Sequence, residues 1–261
     1  MRRVCVVQAR MGSTRLPGKV LRDLAGRPML ARQLERLSGC HSIDEIVIAT
    51  SIDAEDDSIA SLVSGIGFNV VRGSRDDVLS RFILAAHETR ADVVVRVTAD
   101  CPLIDPSTTD RVVDELTTHS TASDYASNVV RRTFPRGLDV EALFVDALER
   151  LDRLATTAEE REHVTIMIRS GQPSLFLVRS VEDSTDNSDL RWTVDEERDF
   201  TLIQRLYDEL DLGRVVAPYP AILQYVREHP ELARMNQEVG TWTPSTTAAP
   251  ATADMPEGRH G

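Results

Sequence analysis

Lysine is all but missing from this 261-residue chain: of its 30 basic residues, Lys19 alone is lysine and the others are arginine. Cysteine is scarce too. Cys5, Cys40 and Cys101 lie far apart, with none of the paired spacings of a zinc site or a disulfide framework, so reduced thiols in a cytoplasm are expected. No apolar run reaches the length of a membrane span, and the opening "MRRVCVVQAR" has no signal-peptide core. A soluble cytoplasmic protein with no membrane partner is the expectation. Lys- or Arg-rich runs are also absent, and the formal charge is −12, which excludes a surface built to wrap nucleic acid. One basic pocket remains compatible with that total, because a phosphate responds to nearby charge more than to distant charge.

What is present is alternation. The length suits one large domain with a sizeable core, read here as residues 1–240, with a nucleotide-binding half to about 120 and an acceptor half from about 121. "VCVVQA", "EIVIAT", "FNVV" and "DVVVRVT" read as strands; "MLARQLERL", "DDSIASLVSGI", "DDVLSRFILAAHE" and "STTDRVVDELTTH" read as helices. Ser107 or Asp105 is placed to cap the last of these. Strand and helix in this rhythm predict an α/β fold with a mostly parallel sheet covered on both faces. Beyond residue 120 the rhythm loosens. Strands are expected in "SDYASNVV", "GLDVEALFV", "SLFLVR" and "DLRWTV", helices near 144–155 and 159–170, and a long helix in "EERDFTLIQRLYDEL". The Pro-, Thr- and Ala-rich segment 241–261 has no apolar period and is expected to be a disordered tail.

The chemistry-bearing stretch is "VQARMGSTRLPGKVL", leaving the carboxyl end of the first strand, where open α/β sheets bind ligands. Gly12 and Pro17-Gly18 permit tight turns whose N–H groups can face one anion. Ser13 and Thr14 add hydroxyls, Arg10 and Arg15 add planar forks suited to phosphate oxygens, and Lys19 adds a point charge. Such a set can hold a triphosphate; a solvated basic loop is the plainer alternative. It is neither a Walker loop nor a dinucleotide fingerprint, since the glycines and the Lys-Ser/Thr pair those need are not there. Two acids follow apolar stretches in the same manner: Asp100 in "VTADCPLID" and Asp195 in "RWTVDEERDF". Each fits a helix cap or turn. Converging beside the loop, the pair would also suit Mg²⁺, which accepts one or two carboxylates plus phosphate and water oxygens.

"QARMGSTRLPGKVL" with "GRPML", then "GSRDDVLSRF", "VRVTADCPLID", "GLDVEAL", "EREHVT" and "DLRWTVDEERDF", together closely resemble the cytidylyltransferases that make CMP-activated acidic sugars. These are the CMP-3-deoxy-manno-octulosonate and CMP-N-acylneuraminate synthetases, and the pattern is nearest their spore-coat polysaccharide biosynthesis subgroup. The resemblance runs over roughly residues 3–205. It implies a three-layer α/β/α nucleotidyltransferase-type fold, of the nucleotide-diphospho-sugar transferase kind, with CTP in the opening loop. It implies that Arg10, Ser13, Arg15 and Lys19 hold the triphosphate, that Met11 and Gly12 belong to the same loop, and that Ala9 contributes backbone contacts only. Arg10, Arg15 and Lys19 are the candidate catalytic residues. Asp100 and Asp195 are the implied Mg²⁺ ligands, with Asp100 also beside the nucleotide.

For the cytosine the resemblance points to Ser74 and Arg81, although Asp77 and Arg81, one helical turn apart, also suit an ordinary salt bridge. For an acidic acceptor the acceptor half supplies Arg136, Asp139, Glu141, Glu162, His163, Ser188 and Arg191 as candidates, with the two arginines suited to a carboxylate. Glu162 and His163 fit a solvated helix face equally well. The family's proline after the second metal aspartate is missing: this chain reads Asp195-Glu196-Glu197-Arg198-Asp199, with Asp199 a supporting residue. The implied reaction is CMP transfer from CTP to a 3-deoxy-2-keto sugar acid with release of diphosphate, by an enzyme whose relatives often form homodimers. A phosphonate or phosphorylated acceptor, CTP binding without turnover, and a glycosyltransferase are the rivals. "TADCP" in place of an Asp-x-Asp motif argues against the last.

Overall fold

In a computed structural model, residues 1–170 and 173–237 are described; the expected tail at 241–261 lies outside them. Strand β1 (Arg3–Gln8) is an interior strand of a seven-stranded sheet. Parallel to it run β4 (Glu45–Ser51) on one side and β6 (Val93–Thr98) on the other, and β5 (Asn69–Gly73) continues beyond β4. A small hairpin, β2 (Asp23–Leu24) and β3 (Arg27–Pro28), stands apart from the sheet. After β6 the sheet is extended by β8 (Glu141–Phe144), antiparallel to both neighbours, then β7 (Tyr125–Ser127) and the edge strand β9 (Val178–Ser180).

Strand residues alternate between two cores. Cys5 and Val7 face one side; Val4 and Val6 face the other. The first side is covered by α1 (Met29–Leu37), α2 (Asp57–Gly65), α4 (Pro106–Thr118), α8 (Glu197–Glu209) and α9 (Tyr219–Glu228). The second is covered by α3 (Val78–Thr89), α5 (Val145–Leu154) and α7 (Ile166–Ser170), with α6 (Ala158–His163) against α3. This is the expected three-layer α/β/α arrangement. Among the described residues no helix is long and apolar enough to cross a membrane.

The first-half elements fall where their periodicity places them, and the caps are legible. Asp105, not Ser107, caps α4: its Oδ2 accepts from the Thr108 N–H at 2.8 Å, and Pro106 fills the first turn. The second half departs from expectation in four places. The helix expected over 159–170 is broken at Val164, whose φ of 55° is strained for a β-branched residue. There the Thr165 N–H donates back to the His163 carbonyl, and Val164 is buried. "SLFLVR" is a strand only in its last residues. "DLRWTV" is no strand at all; one isolated bridge, Arg136 to Arg191, ties it to the segment that precedes β8. The terminal helices α9 and α10 (Pro230–Arg234) were not expected.

Candidate active site

β1 and β6 are adjacent, and their chains leave in opposite directions, so the crevice beyond Gln8 and Thr98 is the switch point at which open α/β sheets bind ligands. The loop after β1 turns tightly over it. The Met11 carbonyl accepts from the Ser13 and Gly18 N–H groups, while the Met11 N–H donates to Asp56 at 2.7 Å. Asp56 is buried and also accepts from the Ser51 hydroxyl at 2.5 Å, so it staples the loop to the end of β4. The N–H groups of Arg10, Gly12, Thr14 and Arg15 have no partner among the described residues, leaving them for a ligand. Gly18, at φ 67°, swings the chain into the short 3-10 turn that begins with Lys19.

Lys19 ends between two carboxylates. Its Nζ donates to Asp100 Oδ2 at 3.2 Å, Asp195 Oδ1 at 3.0 Å and the Val194 carbonyl at 2.6 Å. Asp100 and Asp195 come from chain segments far apart. They meet because the Val194 N–H donates to the Asp100 carbonyl at 2.8 Å. The strand ends invoked for both acids hold for Asp100 only. Asp195 is positioned by Arg191, which donates to it at 2.7 Å and to buried Asp199 at 3.1 Å. Asp199 also accepts from the Asp195 and Glu196 N–H groups, at 2.9 and 3.0 Å. Thr98 fixes Asp100 from the other side at 2.5 Å.

The electrostatics follow from that contact. Burial alone would lower the Lys19 pKa, but Asp100 and Asp195 reverse it and hold the ammonium above its ordinary 10.5. Burial would likewise raise Asp100, yet Lys19 and the Thr98 hydroxyl keep its carboxyl below the usual range.

A cavity of ≈ 230 Å³ opens here, lined among others by Ala9, Arg10, Gly12, Ser13, Arg15, Lys19, Asp100 and Asp195. A second hollow of ≈ 200 Å³ adjoins it, shares Arg15, Thr98, Asp100 and Asp195, and adds Arg136, Asp139 and Arg191. The cytidylyltransferase family model matches residues 4–211. The chain belongs to the cytidylyltransferase family. It is 36% identical over 241 residues to the uncharacterized protein MJ1063 of Methanocaldococcus jannaschii, covering 92% of this chain and 96% of that one. It is 32% identical over 211 residues to the spore coat polysaccharide biosynthesis protein SpsF of Bacillus subtilis (78% and 85% covered). A solved cytidylyltransferase from Leptospira borgpetersenii superposes with a TM-score of 0.85 at 28% identity, over 93% of this chain and all of that one.

Several expected site residues, Arg81 among them, line neither cavity. Glu141, the first residue of β8, is buried, accepting from the Tyr125 hydroxyl at 2.9 Å, the Thr165 hydroxyl and Arg96; it lines neither cavity. Ser188 sits in a turn closed by Asp186 at 3.0 Å. Ser74 accepts from the Asp77 N–H at 3.1 Å and lines neither hollow. The Asp77–Arg81 salt bridge does not form: Asp77 caps α3 and pairs with Arg161 at 2.7 Å. Met11 lies against the core below the loop. Glu162, on α6, pairs with Arg10 at 3.1 Å with both side chains exposed, and His163 beside it is half-buried, its pKa lowered by that burial.

Two guanidinium groups stand out. Arg81 is fully buried, and its Nε and Nη1 have no hydrogen-bond partner; burial and nearby Arg10 lower its pKa. Arg136 has no ion-pair partner among the described residues, and burial followed by the Arg132 charge lowers its pKa. Asp139 is held at 2.7 Å by both nitrogens of the Arg132 fork. Arg136 is seated by Gly137, at φ 105°. A Cβ there would lie 2.5 Å from the Thr193 nitrogen, so only glycine lets this turn close on the 191–195 segment. Sequence reasoning missed Asp56 and Thr98. "DAEDD" reads as an acidic helix start, and nothing in it signals a loop staple.

Proposed function

We propose that this protein transfers CMP from CTP to an acidic acceptor, a 3-deoxy-2-keto sugar acid, and releases diphosphate with the help of Mg²⁺. The observation that carries this is the convergence of Arg10, Arg15, Lys19, Asp100 and Asp195 on one cavity. The adjoining hollow that shares both acids supplies a place for a second substrate.

The donor set suits Mg²⁺ rather than a metal held by protein alone. Among the described residues no group of three or more His, Cys, Asp or Glu side chains could hold a metal. Two carboxylates facing a triphosphate site are what Mg²⁺ takes when phosphate and water oxygens complete its shell. There its chemistry is neutralisation of phosphate charge and a lowered pKa for an acceptor hydroxyl. Arg10, Arg15, Lys19 and the unspent loop N–H groups bind the triphosphate and steady the charge that grows as diphosphate leaves. Asp100 and Asp195, fixed by Thr98 and Arg191, would hold the Mg²⁺ ion between the two hollows. In-line attack then needs only that the acceptor hydroxyl face the α-phosphorus, which is a matter of positioning. Arg81 is the base-side candidate: a buried guanidinium with unused donors suits the O2 and N3 acceptors of cytosine.

Incubation with Mg²⁺, CTP or UTP and a panel of acceptors, with diphosphate measured and products weighed by mass spectrometry, tests the proposal. CMP-sugar formation from CTP is expected. Release only with phosphonates or phosphorylated acceptors would overturn the acceptor, and no release at all would overturn the activity. Arg136→Ala is expected to raise the acceptor KM about 10- to 100-fold with a smaller change in kcat, as for loss of a charged hydrogen bond. An unchanged KM in steady-state kinetics would remove Arg136 from acceptor binding.

A further inference from the structure

We propose that Lys19 is the internal counter-ion of the metal site. In the nucleotide-free protein its ammonium occupies the position of the divalent cation, and the metal enters only when a nucleotide draws the lysine away. This rests on the assignment of Asp100 and Asp195 as metal ligands.

An ammonium has three N–H donors, and Lys19 Nζ finds three acceptors: Asp100 Oδ2, Asp195 Oδ1 and the Val194 carbonyl. The other oxygen of each acid is already committed. Asp100 Oδ1 takes the Thr98 hydroxyl at 2.5 Å. Asp195 Oδ2 takes Arg191 at 2.7 Å and lies 3.3 Å from Arg15. Each carboxylate therefore presents one oxygen to a cation, and Lys19 holds both. A divalent ion on those same oxygens would stand against an ammonium in a partly buried site, where water and salt screen repulsion poorly.

A triphosphate changes the balance. Its oxygens lie in the cavity that Lys19 itself lines, and the lysine stem is long enough to turn from carboxylate to phosphate. Ammonium and metal then exchange places, and the net charge of the site is set by the nucleotide. By linkage, CTP and the metal must each strengthen the binding of the other.

Manganese titrations followed by electron paramagnetic resonance test this without turnover. In the absence of nucleotide, Lys19→Met is expected to bind Mn²⁺ roughly tenfold or more tighter than wild type, and Asp100→Asn in that background should abolish the gain. Because Lys19 is the chain's only lysine, ¹⁵N-lysine labelling of the wild type gives a single ammonium resonance, which needs no substitution. It should stay sharp with Mn²⁺ alone and shift when CTP is added with Mg²⁺. Equal Mn²⁺ affinity in Lys19→Met, or broadening of the ammonium signal by Mn²⁺ alone, overturns the proposal. If that happens while CTP still yields diphosphate, the counter-ion role falls and the enzymatic assignment stands. A gain in metal affinity with no diphosphate release from any acceptor keeps the counter-ion role and removes the enzymatic assignment.

Discussion

Lys19→Ala is expected to lower turnover of CTP with its acceptor by on the order of a hundredfold, about 2.7 kcal/mol of lost transition-state stabilisation. The size follows from the lysine's position. It is the one cation of the loop that is buried, whereas Arg10 and Arg15 are exposed, Arg10 paired with Glu162 and Arg15 3.3 Å from Asp195. A fixed donor in a partly dry site is worth more than a mobile one in water. Measured kcat at saturating CTP checks this, and a value within about threefold of wild type would take the ammonium out of the chemistry.

The same substitution has a signature in pH. The raised Lys19 pKa contributes stability that is complete below its ordinary 10.5 and is lost as pH rises through the folded value above that. The depressed Asp100 pKa contributes stability that is complete above its ordinary 3.8 and is lost as pH falls through the folded value below that. Wild type therefore keeps the pair's full contribution between those limits. In Lys19→Ala burial acts on Asp100 without its counter-ion and pushes its carboxyl upward. The acid limb of a stability profile should move to higher pH. An unmoved limb would mean that the ion contact contributes nothing to stability.

How much of this was legible depends on the range of the signal. "VCVVQA", "EIVIAT" and "DVVVRVT" are unbroken apolar runs, so their strands were readable locally. The rule that ligands gather at carboxyl ends then put Arg10, Lys19 and Asp100 in one place. The position of Asp195 was readable only in part. It rests on one bridge and on the Val194 N–H reaching the Asp100 carbonyl across 94 positions of chain, a contact with no local periodicity. Val164 shows the same limit from the other direction. "AEEREHVTIMIRS" has helical spacing throughout, yet the helix breaks at Val164, next to Thr165, whose hydroxyl donates to a buried acid. That acid is Glu141, and alternation along "GLDVEAL" could say that one face is buried but not which face meets a substrate.

Glu141 accordingly gives the largest expected effect on stability. Register places it opposite Arg96 in the β6–β8 pair, and both side chains are buried. Burial would raise its pKa, but Arg96, the more exposed Arg169, Thr165 and Tyr125 hold the carboxyl below its usual range. The ordering of these groups turns on one charge. Glu141→Ala leaves a buried guanidinium without a counter-ion and two hydroxyls without an acceptor, a loss of about 3–5 kcal/mol. For a chain of this size that corresponds to a melting temperature lower by about 6–20 °C. Glu141→Gln keeps the shape and one acceptor oxygen, and should lose less. Arg96 also donates to Gln8 at 3.2 Å, and Gln8 lines the cavity proposed for the nucleotide, so the damage should reach CTP binding as a secondary change. Thermal melts and CTP affinity of the two variants check this. A normal melt combined with a raised acceptor KM in Glu141→Gln would return the residue to the acceptor site, where its sequence context had put it.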